Sequence, residues 1–134
     1  MAIKKKLSRK VVAKIHGYRS GLELDIANDL AAVGIDGEYE KHVINYTKPE
    51  TKHKYHPDFK LPNGVFVETK GRFLTADRKK HQLIKAQHPE LDIRLLFSNS
   101  KAKISKGSKT TYADWCIKND IIYADKTIPA EWFR

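Results

Sequence analysis

The sequence predicts an α/β (α+β) protein in which helices flank a small mixed sheet. Three patterns support this class: apolar residues at helical spacing after Ser20, alternating apolar and charged residues around a turn at 62–64, and a nearly continuous apolar run at 93–97. The chain of 134 residues is long enough for one domain with a modest core. We expect this domain to cover residues 20–134, after a basic arm at 1–19.

The first predicted helix covers about residues 21–33. Ser20 and Glu23 have the spacing of a capping box, in which the serine hydroxyl caps the glutamate amide and the glutamate carboxylate reaches back to the serine amide. Gly34 predicts the end of this helix. Capping accounts for Glu23 completely, so the local pattern leaves open whether this carboxylate has a further role.

A strand is predicted over residues 38–46, which alternate between apolar and polar side chains. Residues 47–56 are polar, rich in lysine and histidine, and interrupted by Pro49. This stretch is the best candidate for a linker.

Residues 57–70 predict a β-hairpin. Pro62, Asn63 and Gly64 suit a three-residue loop, in which a type I turn is followed by a glycine with positive φ. This loop places Asp58 directly opposite Glu68. A two-residue loop would shift the register by one and mix apolar with charged side chains on both faces. With the three-residue loop, one face carries Phe59, Leu61, Val65 and Val67, and the other carries Asp58, Lys60, Phe66, Glu68 and Lys70.

The rest of the chain predicts two more helices, two more strands and a packed terminus. Thr75 is the predicted cap of the second helix, which stops before Pro89. The predicted elements are a helix at 76–87, a strand at 93–97, a helix at 112–118, a strand at 121–124 and an apolar terminus at 128–133.

The charge of the chain favours a polyanionic partner. The 26 lysines and arginines outnumber the 16 acidic residues, giving a net charge of +10. The arm at 1–19 contains no acidic residue, and a localisation signal or an anionic membrane surface is the alternative interpretation of its charge. The predicted contacts to nucleic-acid phosphates are Lys5, Lys6, Arg9, Lys10, Lys79 and Lys80.

The sequence does not favour a membrane protein, a disulfide-bonded protein or a zinc-binding protein. No apolar run approaches the roughly 20 residues that span a bilayer, so a cytosolic protein without a membrane partner is expected. A single cysteine, Cys116, excludes an intramolecular disulfide and a multi-cysteine zinc site, and its apolar neighbours predict a buried thiol. His53 and His56 have a metal-binding spacing, but no second histidine pair matches them.

Two facing carboxylates are the main candidate for chemistry. Like charges opposite each other across a strand pair are destabilising without a counter-ion, and two such carboxylates can hold a divalent cation. Asp58 and Glu68 would be ligands, with the Thr69 main-chain carbonyl as a third, and Lys70 would orient a water molecule. The alternative is a surface hairpin with solvated charges, in which Lys70 is an ordinary strand lysine.

The pattern of Pro57-Asp58, a gap and Glu68-Thr69-Lys70 resembles the signature of the restriction-endonuclease-like nuclease superfamily. Longer stretches are similar to the bacteriophage endonuclease I family and together span most of residues 19–132. They are residues 19–23, 57–71, 77–81, 87–94 and 128–132.

This resemblance implies a Holliday-junction resolving enzyme that cuts branched DNA with Mg²⁺ or Mn²⁺. It implies catalytic roles for Glu23, Asp58, Glu68 and Lys70, with Glu23 also near the metal. It further implies a domain-swapped homodimer, in which the segment up to about residue 46 crosses to the partner through the stretch at 47–56. Each active site would then combine Glu23 of one chain with the other three residues of its partner.

Three functions fit these residues. The first is a nuclease selective for branched DNA, the second is a related nuclease acting on linear duplex, and the third is a nonenzymatic basic DNA-binding protein. The third would not need facing carboxylates, which repel phosphate unless a cation is bound. No small-molecule substrate is expected, and the phage resemblance implies the cytoplasm of an infected bacterial host.

Overall fold

The computed structural model describes residues 13–14, 16–48 and 51–134. Mixed helices and strands around a small sheet confirm the predicted fold class. The elements in chain order are α1 (Gly21–Ala32), β1 (Glu38–Tyr39), β2 (Ile44–Lys48), β3 (Thr51–Tyr55), β4 (Phe59–Lys60), β5 (Phe66–Lys70), α2 (Thr75–Gln87), β6 (Ile93–Phe97), α3 (Tyr112–Lys118), β7 (Tyr123–Asp125) and a 3₁₀ turn (Ala130–Phe133).

Five strands form a mixed sheet in the order β1-β4-β5-β6-β7. The pairs β1–β4 and β4–β5 are antiparallel, whereas β5–β6 and β6–β7 are parallel. Helices α2 and α3 supply the two crossovers that parallel pairing requires. Strands β2 and β3 form a separate antiparallel pair.

The β4–β5 hairpin has the predicted three-residue loop. Gly64 has a φ of +93°, and the Leu61 amide donates to the Val65 carbonyl at 2.8 Å. Phe59 pairs with Val67, and the same register sets Asp58, just before β4, opposite Glu68. The alternation of side chains and the glycine in the loop therefore specified the register correctly.

Both faces of the main sheet are covered. On one face, α1 and the C-terminal turn pack on the hairpin, where the cluster includes Ile26, Leu30, Phe59, Leu61, Val65, Val67 and Trp132. On the other, α3 packs on the parallel strands around Phe73, Leu95, Phe97, Tyr112, Trp115 and Cys116. The β2–β3 pair packs on α2 and β5 through Ile44, Tyr46, Tyr55, Phe66 and Ile84.

The segment at 38–56 differs from its prediction. Residues 38–46 are divided between β1 and β2, because Glu40 adopts a left-handed conformation with a φ of +49°. Most of the predicted linker at 47–56 belongs to β2 and β3, which pair from Ile44 with Tyr55 to Lys48 with Thr51.

The starts of helix α2 and strand β7 also differ from their predictions. Thr75 is the first residue of α2 and not its cap. Leu74 takes the N-cap position, where its amide donates to Asp77, and the Thr75 hydroxyl accepts from Arg78 at 3.0 Å. Strand β7 begins at Tyr123, two residues later than predicted. Within the described residues, no helix has the length and apolar character needed to cross a bilayer.

Candidate active site

Asp58 and Glu68 are buried where the hairpin meets the rest of the sheet, with only 3% and 7% of each residue exposed. The Thr69 amide and hydroxyl both donate to Asp58 Oδ2, each at 2.8 Å. These two hydrogen bonds fix the Asp58 carboxylate. The sequence pattern assigned only the carbonyl of Thr69 and missed this use of its amide and side chain.

Glu68 has a different partner on each carboxylate oxygen. Its Oε2 accepts a hydrogen bond from the buried Tyr55 hydroxyl, and its Oε1 lies 3.9 Å from Lys70 Nζ. The pKa of Glu68 is raised to about 8, chiefly by burial. The negative charge of Asp58 also raises this pKa, and its effect is larger than the opposing effect of the Lys70 charge. Ionisation of both carboxylates together is therefore unfavourable among these neighbours, and a bound cation would offset that cost.

Lys70 lies between two carboxylates. Its Nζ is 3.4 Å from Asp77 Oδ1 as well as 3.9 Å from Glu68 Oε1. Asp77 is at the start of α2, where its other oxygen accepts from the Leu74 amide. The helix start thus holds Asp77, and Asp77 helps to hold the lysine beside the carboxylates.

Glu23 joins the same region from α1. Oxygen atoms of Glu23, Glu40 and Asp58 all lie within 4.8 Å of one another. The Glu23 carboxylate accepts from the Ser20 hydroxyl at 3.1 Å and from the Tyr39 hydroxyl. Burial raises the pKa of Glu23, and Asp58 contributes in the same direction.

The capping interpretation of Glu23 is therefore half right. Ser20 Oγ accepts from the Glu23 amide at 3.1 Å, as predicted. The carboxylate, however, binds the Ser20 hydroxyl instead of the Ser20 amide, and it also faces Asp58. One residue thus both begins the helix and contributes a carboxylate to the cluster.

Glu40 was not predicted as a site residue. It lies between β1 and β2, and its Oε1 is 2.6 Å from the guanidinium of Arg19. Alternation along 38–46 made it look like an ordinary strand residue. The position of this side chain depends on the left-handed backbone conformation of Glu40. The sequence does not predict that conformation, because a glutamate rarely adopts it.

Among the predicted DNA contacts, Lys79 is exposed and Lys80 approaches the site. Lys80 Nζ lies 4.7 Å from the centre of the Tyr55 ring, and burial lowers the pKa of Lys80 while the charge of Glu68 opposes this. No carboxylate of the described residues pairs with Lys80 within 4.0 Å. Lys5, Lys6, Arg9 and Lys10 lie outside the described residues.

Buried carboxylates beside a lysine, at the end of a hairpin in a strongly basic chain, are typical of nucleases. The family model of phage endonuclease I matches residues 1–134, and the chain belongs to this family. It is 52% identical over 125 residues to endonuclease I of Escherichia phage T7, covering 93% of this chain and 84% of that protein. It is 55% identical over 112 residues to endodeoxyribonuclease 1 of Enterobacteria phage T3, covering 84% of this chain and 74% of that protein.

Proposed function

We propose that this protein is a DNA endonuclease that resolves four-way junctions and other branched DNA by metal-dependent phosphodiester hydrolysis. The observation that carries the proposal is the convergence of Glu23, Asp58, Glu68 and Lys70 on one region of a chain with net charge +10. The names of the T7 and T3 relatives support cleavage of DNA within a strand. The cytoplasm of an infected bacterium is the corresponding place of action.

The residues of the site fit a divalent cation. Glu23, Glu40 and Asp58 offer carboxylate oxygens within 4.8 Å of one another, and such hard oxygen ligands suit Mg²⁺. We assign Asp58, Glu68, Glu23 and the Thr69 main-chain carbonyl to its binding, with Glu40 beside them. When bound, Mg²⁺, or Mn²⁺ as a substitute, supplies an acidified water and positive charge for the phosphoryl oxygens.

The protein groups have separate roles in this proposal. Thr69 holds Asp58, and Asp77 holds Lys70, so both side chains are oriented before DNA binds. Lys70 orients the attacking water. Lys80 has no carboxylate partner within 4.0 Å among the described residues, so its ammonium can bind a phosphate next to the site.

A substitution at Asp58 tests the catalytic assignment. Asp58→Asn should abolish cleavage while retaining tight binding to a four-way junction, because the site loses a charged ligand and the basic surface is unchanged. Asp36→Asn is the matched control, since Asp36 is exposed and is not one of the clustered carboxylates. Cleavage by Asp58→Asn at the rate of the control would remove Asp58 from the catalytic machinery.

We further propose that the protein acts as a homodimer that makes paired cuts, because a two-fold dimer presents two equivalent sites to two strands of a junction. In the described chain, Glu23 reaches Asp58 of the same chain. Exchange of the segment that precedes the β2–β3 connection would preserve this contact between two chains. The same residues would therefore form the site in a single chain and in a domain-swapped dimer.

Mixed dimers distinguish exchange from contact within one chain. If Glu23→Ala protein is combined with Asp58→Ala protein, a swapped dimer has one doubly altered site and one intact site. Without exchange, each site carries one substitution and neither is intact. We therefore expect nicking of one strand by verified mixed dimers, and complete inactivity would contradict the shared site.

A further inference from the structure

Tyr55 is the contact between the β2–β3 pair and the candidate active site. It is the last residue of β3, only 1% exposed, and its hydroxyl donates to Glu68 Oε2. Its ring and the ring of His81 are nearly perpendicular, with centroids 5.5 Å apart, and Lys80 Nζ lies 4.7 Å from the centre of the Tyr55 ring. The ring therefore has little freedom to move, and the direction of its hydroxyl is fixed.

The two oxygens of Glu68 are used differently. Tyr55 occupies Oε2, whereas Oε1 faces Lys70 Nζ at 3.9 Å. A glutamate side chain has several rotatable bonds, and a hydrogen bond from a rigid donor selects one of its arrangements. The Tyr55 hydroxyl thus directs Oε1 of Glu68 toward the region of Lys70.

This contact lies within one continuous segment. Tyr55, Glu68, Lys70 and Lys80 all follow residue 50, after the connection between β2 and β3. Exchange of the preceding segment between two chains would leave the contact unchanged. A role for Tyr55 therefore does not depend on the oligomeric state.

We propose that Tyr55 is a positioning residue, whose hydroxyl holds the Glu68 carboxylate in the arrangement that binds a divalent cation. This inference rests on the proposed function, because it concerns the same metal site. Groups that orient metal-binding side chains are typically worth a factor of about 10 to 100 in metal affinity. Removal of the hydroxyl should therefore weaken cation binding without removing a ligand.

Tyr55→Phe removes the hydroxyl and keeps the ring beneath Lys80. Its matched control is Tyr46→Phe, because Tyr46 belongs to the same apolar cluster on the paired strand, and its hydroxyl has no hydrogen bond to the described residues. The measurement is calorimetric titration of DNA-free protein with Mn²⁺. We expect the Kd to rise about 10- to 100-fold for Tyr55→Phe and to remain unchanged for Tyr46→Phe.

A second comparison shows whether Tyr55 acts through Glu68. In a Glu68→Gln background, the further change Tyr55→Phe should leave the Mn²⁺ Kd unaltered, because the carboxylate that Tyr55 positions is already gone. Both tyrosine variants should keep the Tm of their parent to within a few degrees. A purely structural role would instead lower the Tm and act equally in both backgrounds.

The outcomes separate this inference from the proposed function. Equal Mn²⁺ affinity for wild type and Tyr55→Phe overturns the positioning role alone. An equal loss in the wild-type and Glu68→Gln backgrounds also overturns it. Failure of the wild-type protein to bind Mn²⁺ overturns the proposed metal site, and the positioning role with it.

Discussion

His81 provides a direct test of the packing around the candidate site. His81 is only 3% exposed, and its Nε2 atom has no hydrogen-bond partner among the described residues. The rings of Tyr55 and Phe73 lie 5.5 Å and 6.1 Å away. Burial lowers the pKa of His81 from 6.5 to about 3, and the charges of Lys70 and Lys80 add to this more than Asp77 offsets it.

The effect on stability follows from the direction of this shift. Because the folded-state pKa is lowered, the unfolded chain takes up the His81 proton first as the pH falls. The stabilisation by the neutral imidazole is complete above pH 6.5 and is lost progressively as the pH falls from 6.5 toward 3. At pH 5 the loss covers about 1.5 units at 1.36 kcal/mol each, which is about 2 kcal/mol.

The assay is urea unfolding of wild type and His81→Leu at pH 7.5 and pH 5. Other groups titrate in the same range, so the change in unfolding free energy between pH 7.5 and pH 5 is measured for both proteins. The value for His81→Leu is then subtracted from the value for wild type. We expect wild type to lose about 2 kcal/mol more than His81→Leu. His56→Gln is the control, since His56 is exposed. Equal pH dependence of wild type and His81→Leu would refute the burial of a neutral imidazole.

Three further predictions concern other parts of the chain. Burial raises the pKa of the Cys116 thiol to about 12, so a thiol reagent should label it only after unfolding, and rapid labelling of folded protein would contradict its burial. Thr111→Ala should cost about 1 kcal/mol of unfolding free energy in urea, because Thr111 Oγ1 caps the Asp114 amide at 3.0 Å; an unchanged value would show that the cap is unimportant. Lys79→Ala and Lys80→Ala should each lower the salt slope of junction binding by about 0.9, and an unchanged slope would show that the lysine contacts no phosphate.

Local sequence patterns were sufficient for elements whose structure depends on short-range interactions. The hairpin register follows from the positive φ of Gly64 and from the alternation that buries Phe59 and Val67. Strand β6, a nearly continuous apolar run, and helix α3 have the predicted bounds. The opposition of Asp58 and Glu68 therefore follows from the sequence pattern alone.

The remaining parts of the site depend on contacts between distant segments. Glu40 enters the cluster through a left-handed residue between two strands, and no sequence period indicates this conformation. The bond from Tyr55 to Glu68 requires the β2–β3 pair to pack on the main sheet, whereas this polar stretch looked like a linker. Charge and alternation alone do not determine such packing.

We propose that this chain cuts branched DNA by using the carboxylate cluster and a divalent cation. The most direct measurement compares cleavage of a four-way junction with that of a linear duplex of matching sequence, in Mg²⁺ and in EDTA, for wild type and Asp58→Ala. We predict paired cuts in the junction that require both Mg²⁺ and Asp58, with little cutting of the linear duplex. Equal cutting of both substrates would contradict selectivity for branched DNA, and tight junction binding without cleavage would contradict the proposed nuclease activity.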